Sequence, residues 1–274
     1  MNKFKGKCKI IDDKYVVKKT DKDLRKLYNY FDERDFDNHP YVHEISDKEL
    51  KTEYIEETNN VDYETALADT VGNLHYKTTK LKDISLSKYK EVYDKLLGNI
   101  SHLTLYYDDL IKKIEIEKYV SPSSYLFERN YSLINYLLAY SKNTLDIWYS
   151  LVEKKEKERV VIVHNNLQKS KIIRGDKNYL IGFDKYLVDT PVIDLYKLYL
   201  NESELDFNKF IEKYNQIYGL NQEEKTLFLS MISIPKKINF IDNELLNVKN
   251  LKKILDSMYR TRKLISEFEK EEAE

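Results

Sequence analysis

Residues 160–184 read VVIVHNNLQKSKIIRGDKNYLIGFD, and they interrupt a chain whose flanking segments have helical patterns. An apolar run ends at His164, and a second apolar run ends in GFD at 182–184. The RGD between them, at 174–176, is typical of a turn. Short apolar runs bounded by turn residues predict two β-strands. We therefore expect a hairpin over 160–184 that carries polar residues after its first strand.

Apolar residues on both sides of this stretch repeat at helical spacing. Residues 63–79, 87–117 and 122–155 predict helices before it. Helices resume near Asp194 and continue to the C-terminal segment. Most of the chain after the first 60 residues or so is thus expected to be helical.

The N-terminal part has a different pattern. β-branched residues within 4–18 predict two strands joined at Asp12-Asp13, and a helix and two further strands follow. The polar residues at 58–60 mark the boundary that we predict. The sequence therefore predicts an α+β fold with an N-lobe at 1–57, a hinge at 58–60, and a helical C-lobe at 61–274 that contains the hairpin 160–184.

Composition argues against several partners and cofactors. Lys plus Arg total 46 against 47 Asp plus Glu, so a net charge of -1 gives no general attraction to nucleic acid or anionic membranes. The single cysteine, Cys8, cannot form an intramolecular disulfide or a cysteine-rich zinc site. His39 and His43 have no evident third ligand nearby, which makes a weak case for metal. Without an N-terminal apolar region or an apolar run of about 18 residues, the sequence predicts a soluble cytoplasmic protein.

The order of elements and three motifs resemble a known family. The motifs are HNNLQKSK at 164–171, YLIGFD at 179–184 and TPVIDLYKLY at 190–199. They resemble the catalytic segments of the aminoglycoside phosphotransferase and choline kinase superfamily, and within it the bacterial spore-coat kinase-like branch. The resemblance covers nearly the whole chain and is specific at these motifs. It implies a bilobal protein-kinase-like fold, with ATP and Mg²⁺ as cofactors and a hydroxylated acceptor.

The resemblance also assigns roles to residues of the polar loop. The family's catalytic loop reads H-G-D-x-x-x-x-N, and a later strand ends in I-D-F. Here His164 matches the structural His, Asn165 stands at the Gly, and Asn166 stands at the catalytic Asp. Lys171 stands at the metal-binding Asn and Gly182 at the metal-binding Asp. Three positions that are essential to the chemistry therefore differ from the family.

Other family positions are kept. Lys18 matches the lysine that approaches the α- and β-phosphates, with Lys19 as the alternative if the register differs by one residue. Asp23 and Glu33 are candidates for its acidic partner, although ordinary solvated charges on a helix explain both more simply.

Two further features concern the support of the loop and the cover of the phosphates. Asp194 matches the structural aspartate that supports the catalytic loop, and Asn-Leu-His at 73–75 resembles an early C-lobe motif. A glycine-rich phosphate loop is missing from the sequence, which weakens the expectation of tight ATP binding.

The departures have direct chemical consequences. An amide at Asn166 can orient a hydroxyl but cannot take its proton near neutral pH. Gly182 offers no carboxylate to Mg²⁺, and the cationic Lys171 repels the ion. Asp184, two residues beyond Gly182, could hold a metal from a shifted position. Lys171 could instead replace the metal by pairing with phosphate, or pair with Asp184, or be solvated.

Three functions fit this pattern. The first is a pseudokinase that binds a protein partner or small-molecule ligand in or around the old cleft, with Lys18 and Lys171 as ligand-binding residues. The second is an active phosphotransferase that uses ATP and holds Mg²⁺ through Asp184, with an amino alcohol, sugar or aminoglycoside as acceptor. The third is a structural, spore-coat-like component whose cleft is filled by aromatic side chains, for which Tyr179, Phe183 and Tyr186 are the candidates. We favour the first because the three essential positions depart together.

Overall fold

β-branched runs near the N-terminus form an antiparallel sheet in the computed structural model, which describes residues 3–5, 8–20, 22–46, 48–58 and 60–273. Its strands are β1 (Lys3–Lys5), β2 (Cys8–Ile11), β3 (Tyr15–Lys19), β4 (Val42–Ile45) and β5 (Glu49–Glu53). Their order across the sheet is β1-β2-β3-β5-β4, and every neighbouring pair is antiparallel. Lys18 therefore lies in the central strand, opposite Cys8 and Leu50.

The predicted turn between the first strands lies where we expected it. Asp12 and Asp13 have φ angles of 51° and 48°, and Lys14 donates its backbone N–H to the carbonyl of Ile11 at 3.0 Å. Positive φ at both central residues is typical of the tight turns that join hairpin strands, and Asp tolerates it better than most residues. The sheet contains β1 in addition to the four predicted strands, because this three-residue strand is too short to give an alternating pattern.

One short helix, α1 (Arg25–Glu33), follows the third strand. Leu27, Tyr28 and Phe31 form its buried face. The sequence predicts this helix over 21–36, with Thr20 or Asp21 as its N-cap; the observed helix is shorter at both ends, and Asp21 lies outside the described residues. The Asp23 carboxylate instead accepts the Arg25 N–H at 3.0 Å, which satisfies one free donor at the helix start.

The rest of the described chain is mainly helical. Its helices are α2 (Tyr63–Thr78), α3 (Leu86–Glu115), α4 (Pro122–Val152), α5 (Val192–Asn201), α6 (Phe207–Ile217), α7 (Gln222–Ser233) and α8 (Glu244–Ala273). Its strands are β6 (Lys80–Asp83), β7 (Lys157–Val163), β8 (Ile172–Arg174), β9 (Asn178–Leu180) and β10 (Leu187–Asp189). A small N-terminal sheet region and a larger helical region confirm the predicted α+β, bilobal protein-kinase-like class. Within the described residues, none of the helices has the length and hydropathy that a membrane crossing requires.

The segment 160–184 pairs differently from the single hairpin that we predicted. Strand β8 pairs with β9 across a turn at 175–177, in which Gly175 donates its N–H to the carbonyl of Lys177 at 2.9 Å. Strand β7 pairs instead with β10. Ile172–Arg174 forms a strand of its own that pairs with β9, whereas β7 pairs with Leu187–Asp189, which lies beyond the predicted segment.

The chain divides into two compact units. One unit contains Met1–Lys82 and Glu158–Leu220, and the other contains Asp83–Lys157 and Asn221–Glu274. All the residues to which the sequence assigned a role in the site belong to the first unit. The boundaries predicted from the sequence, with a hinge at 58–60, stay a prediction, and Asn59 lies outside the described residues.

The second unit contains α3, α4, α7 and α8. Buried hydroxyls join two of these helices: Ser141 donates to the carbonyl of Ser230, and Ser230 donates to the carbonyl of Ser141, each at 2.9 Å. Helix α7 begins with a capping box in which Asn221 and Glu224 satisfy each other's backbone N–H groups. These contacts satisfy polar groups that would otherwise be costly to bury.

Helices α2 and α6 pack closely in the first unit because Gly72 has no side chain. A Cβ atom at Gly72 would lie 3.0 Å from the side chain of Ile217. Helix α2 carries His75, so this contact also fixes one wall of the site described below.

Replacing Gly72 with a larger residue should therefore destabilise the fold. We expect Gly72→Leu to lower the free energy of unfolding by about 1–3 kcal/mol through overpacking. The control is Gly98→Leu in α3, where nothing lies within 4 Å, and we expect it to raise stability by about 0.5 kcal/mol through helix propensity. Thermal unfolding midpoints provide the measurement, and equal effects at the two positions would contradict the packing described here.

Candidate functional site

The carboxylate of Asp194, in the first turn of α5, holds the polar loop that follows β7. Asp194 is fully buried and accepts the backbone N–H groups of His164 at 2.7 Å and Asn165 at 2.6 Å. Hydrogen bonds to an ionised acceptor are roughly twice as strong as those between neutral groups. Asn165 has a φ of 63°, a left-handed conformation that Gly adopts freely and Asn tolerates. This explains how Asn can stand where the family has Gly.

His75 of α2 binds the same carboxylate from inside the unit. Its Nε2 lies 3.2 Å from Asp194 Oδ2, and its Nδ1 lies 2.8 Å from the hydroxyl of Tyr214 in α6. His75 and Asp194 are both fully buried. The sequence indicated 73–75 only as a motif, because both partners of His75 lie more than a hundred residues further along the chain.

His164 connects the loop to the end of β9. Its Nε2–H donates to the carbonyl of Ile181 at 3.0 Å, and its ring packs edge-on against Phe183 at 5.0 Å between centroids. Burial lowers the pKa of His164, which keeps the ring neutral near pH 7. Its Nδ1 is buried and has no hydrogen-bond partner among the described residues. Through these contacts His164 holds the loop after β7 against the segment that follows β9.

Lys18 of the central strand donates to the carboxylate of Asp184. The two residues are 166 positions apart, and both side chains are partly buried. The candidates named for this partner are therefore wrong: Asp23 pairs with Arg25 at 2.9 Å, and Glu33 is exposed. The acidic partner of Lys18 therefore comes from the turn after β9 and not from the region of α1.

Helix α1 places a phenol, Tyr28, near this ion pair. Burial and the charge of Asp184 both raise the pKa of Tyr28, so its hydroxyl keeps its proton. A neutral hydroxyl cannot compensate the Lys18 ammonium, which leaves that role to Asp184.

Lys171 fills the space beside Gly182. A Cβ atom at Gly182 would lie 3.4 Å from Lys171 Cδ and 3.6 Å from its Nζ. Gly182 has a φ of 87°, which most other residues avoid. In the part of the chain that the structure describes, Lys171 has no ion-pair partner, and Asp184 pairs with Lys18. An ammonium group without an ion-pair partner among the described residues therefore lies beside Gly182.

Asn166 lies in the loop after β7, before Lys171, and its side chain is half-buried. Its side-chain amide makes no hydrogen bond to any of the described residues. It is thus free to bind a ligand, but it cannot accept a proton from one.

The aromatic residues that we considered as cleft fillers have other contacts. Phe183 is buried and packs against Phe31 of α1 at 5.0 Å between ring centroids. The Tyr179 hydroxyl donates to Asp176 at 2.7 Å, and the ammonium group of Lys22 lies 3.6 Å from the ring centre of Tyr186.

The residues present do not fit the Mg²⁺ ion that the resemblance implies. Mg²⁺ binds oxygen ligands, usually one or two carboxylates together with phosphates and waters. Asp184 is already paired with Lys18, and Lys171 brings a positive charge to the same region. Within the described residues, no group of three or more acidic, histidine or cysteine side chains is arranged to hold a metal.

Comparison with known proteins shows the fold. No family model matches the sequence, and no curated protein does. Among solved structures, an aminoglycoside phosphotransferase from Alicyclobacillus acidocaldarius matches 97% of this chain and 92% of its own, with a TM-score of 0.64 and 11% identity. An AMP-bound spectinomycin phosphotransferase matches 94% of this chain and 92% of its own, with a TM-score of 0.52 and 13% identity. The chain thus has the fold of these phosphotransferases.

The Asp194 network yields a prediction about stability. In Asp194→Asn the amide has one acceptor in place of a carboxylate that receives two backbone N–H groups, so we expect a loss of about 2–3 kcal/mol. Urea denaturation measures the change. The control is Glu204→Gln, which alters one exposed carboxylate, and a loss in Asp194→Asn no larger than in this control would contradict the role of Asp194.

Proposed function

We propose that this protein is a pseudokinase: a kinase-like protein, impaired in phosphoryl transfer, that acts by binding a ligand or partner at its cleft. The observation that supports the proposal most directly is that the Lys171 ammonium group lies beside Gly182. The resemblance assigns the two metal ligands to these two positions, and here they carry a cation and no carboxylate.

The chemistry of phosphoryl transfer supports this proposal. Transfer from ATP depends on metal ions that compensate the phosphate charge and on a base or orienting group for the acceptor hydroxyl. Loss of the base at Asn166 alone costs on the order of 10²- to 10⁴-fold. The absence of a carboxylate at Gly182 removes metal compensation as well, so both contributions are lost together.

The same residues favour an anionic ligand that needs no metal. Lys18 and Asp184 cancel each other, whereas Lys171 adds an uncompensated positive charge in this region. Ammonium groups bind phosphate readily as point charges. AMP in the similar spectinomycin phosphotransferase structure makes a nucleotide the first ligand to test.

A thermal-shift titration tests the proposal. ATP, ADP and GTP are each added with Mg²⁺ and with EDTA. We expect a shift that EDTA does not remove, because saturation at roughly 100 times the dissociation constant adds about 2.7 kcal/mol and raises the midpoint by several degrees. Lys171→Ala should reduce the shift, and Lys154→Ala, which removes an exposed lysine of the second unit, should not.

Other outcomes count against nucleotide binding without metal. A shift that requires Mg²⁺ would contradict it and favour the enzyme hypothesis. The absence of any shift would rule out a nucleotide as the ligand and favour a partner-binding or structural protein.

The second candidate is an active phosphotransferase, and one observation favours it. Asp184 lies beside Lys18, so a metal that displaced the lysine could reach a carboxylate. Radiolabel transfer from ATP to amino alcohol, sugar and aminoglycoside acceptors measures this directly. Transfer abolished in Asp184→Ala would establish the enzyme and overturn the pseudokinase, and we expect no transfer with any divalent metal.

A further inference from the structure

A cavity of about 360 Å³ lies at the C-terminal end of α1, and neither Lys18, Lys171 nor Asp184 lines it. Its walls come from the end of α1, the loop that leads to β4, the end of β5, and the turn between β8 and β9. The volume is at the lower end of the range of roughly 300–1,000 Å³ found for small-molecule sites. It is large enough for a compact organic molecule.

Aromatic rings form much of the wall. Phe31, Phe36 and Tyr179 are buried side chains that line the cavity, and Tyr41 lies at its rim with 63% of its surface exposed. Phe31 and Phe36 contact each other edge to face at 4.9 Å between centroids. These rings offer apolar area and, at Tyr41 and Tyr179, electron-rich faces.

The charged side chains around the cavity are mostly acidic. The positive charge of Lys177 is compensated by Asp37, whose carboxylate lies 2.5 Å from the ammonium group. Three more carboxylates line the cavity, those of Asp32, Asp35 and Glu53. In the described residues these three have no cationic partner, although Glu53 accepts the backbone N–H of Tyr41 at 2.7 Å.

His39 adds a neutral polar group to this wall. Burial lowers the pKa of His39, so the ring does not offset the acidic charge near pH 7. Its Nδ1–H donates to the carbonyl of Pro40 at 3.0 Å, and its buried Nε2 has no hydrogen-bond partner among the described residues. Nε2 is therefore a free acceptor in the wall of the cavity.

We propose that this cavity binds an organic ammonium cation that carries an apolar arm. Three uncompensated carboxylates attract a cation and repel an anion, and the rings favour the cation through their faces and the arm through apolar contact. A neutral ligand would gain only the apolar contacts and not the attraction to the carboxylates and the ring faces. The proposal is independent of the nucleotide hypothesis, because the cavity is lined by neither Lys18 nor Lys171.

Phe31 connects this cavity to the first site. One ring lines the cavity and also packs against Phe183, which follows Gly182 and precedes Asp184 in the sequence. A ligand that moves Phe31 would therefore act on the turn that carries the Lys18 partner.

The test uses the small number of histidines, of which the chain has 5. The full-length protein is labelled with ¹³C at the histidine rings, and the His39 signal is assigned from His39→Gln. The probes are 2-phenylethylamine, which is an ammonium cation at pH 7.5, and 2-phenylethanol, its neutral analogue of the same shape. We expect the amine to move the His39 signal saturably, with a dissociation constant at least about tenfold lower than that of the alcohol.

Charge-removing variants make the test specific. Asp32→Asn/Asp35→Asn should weaken amine binding at least about fivefold, because it removes two of the attracting charges. The matched control is Glu33→Gln/Glu44→Gln, which removes two exposed carboxylates that do not line the cavity, and it should leave the affinity unchanged.

Several results would overturn the proposal. They are a His39 signal that the amine does not move, equal affinity for the alcohol, and undiminished amine binding in the folded Asp32→Asn/Asp35→Asn variant. If that variant does not fold, the parent protein is titrated in high salt, where screening should weaken binding. An affinity unchanged by salt would then exclude an electrostatic site.

Discussion

The site depends on the hydrogen bonds that the buried carboxylate of Asp194 makes. It accepts two successive backbone N–H groups of the loop after β7, and His75 binds it from α2. A buried charge is tolerated only when it is well hydrogen-bonded, so this arrangement constrains the loop, α2 and α5 together. Backbone groups, and not side chains of the loop, make the two bonds from the loop, so they do not depend on which side chains the loop carries.

The site combines this hydrogen-bonded loop with two lysines and one carboxylate. Lys18 finds its acid in Asp184, and Lys171 lies against the residue that lacks a side chain, Gly182. A Cβ atom at 182 would lie 3.4 Å from Lys171 Cδ, an ordinary van der Waals distance, so the lysine lies directly against the glycine. In the function that we propose, this loop and the Lys171 charge let a phosphotransferase fold bind an anion without transferring a phosphoryl group.

Local patterns in the sequence predicted most elements but few of the contacts between them. Periodicity placed α2 and α4 nearly to the residue, since each buries a regular apolar face. It missed β1 and the β7–β10 pairing, because three-residue strands have no measurable alternation. The motifs supplied the site residues that we propose, whereas the Lys18–Asp184 pair and the two partners of His75 are contacts between distant segments that no local pattern encodes.

The most direct test of the central claim is an EPR titration of Mn²⁺ with the parent protein and with Asn166→Asp/Lys171→Asn/Gly182→Asp. We expect the parent to leave the free Mn²⁺ signal intact and the triple variant to reduce it, since two carboxylates and an amide oxygen then replace an amide, a cation and a glycine. Asp tolerates the left-handed backbone at 182 better than most residues, and removal of Lys171 opens the space for it. Binding of Mn²⁺ by the parent as tight as by the variant, or none by a folded variant, would contradict the claim that a metal site has been replaced by a lysine on an otherwise preserved frame.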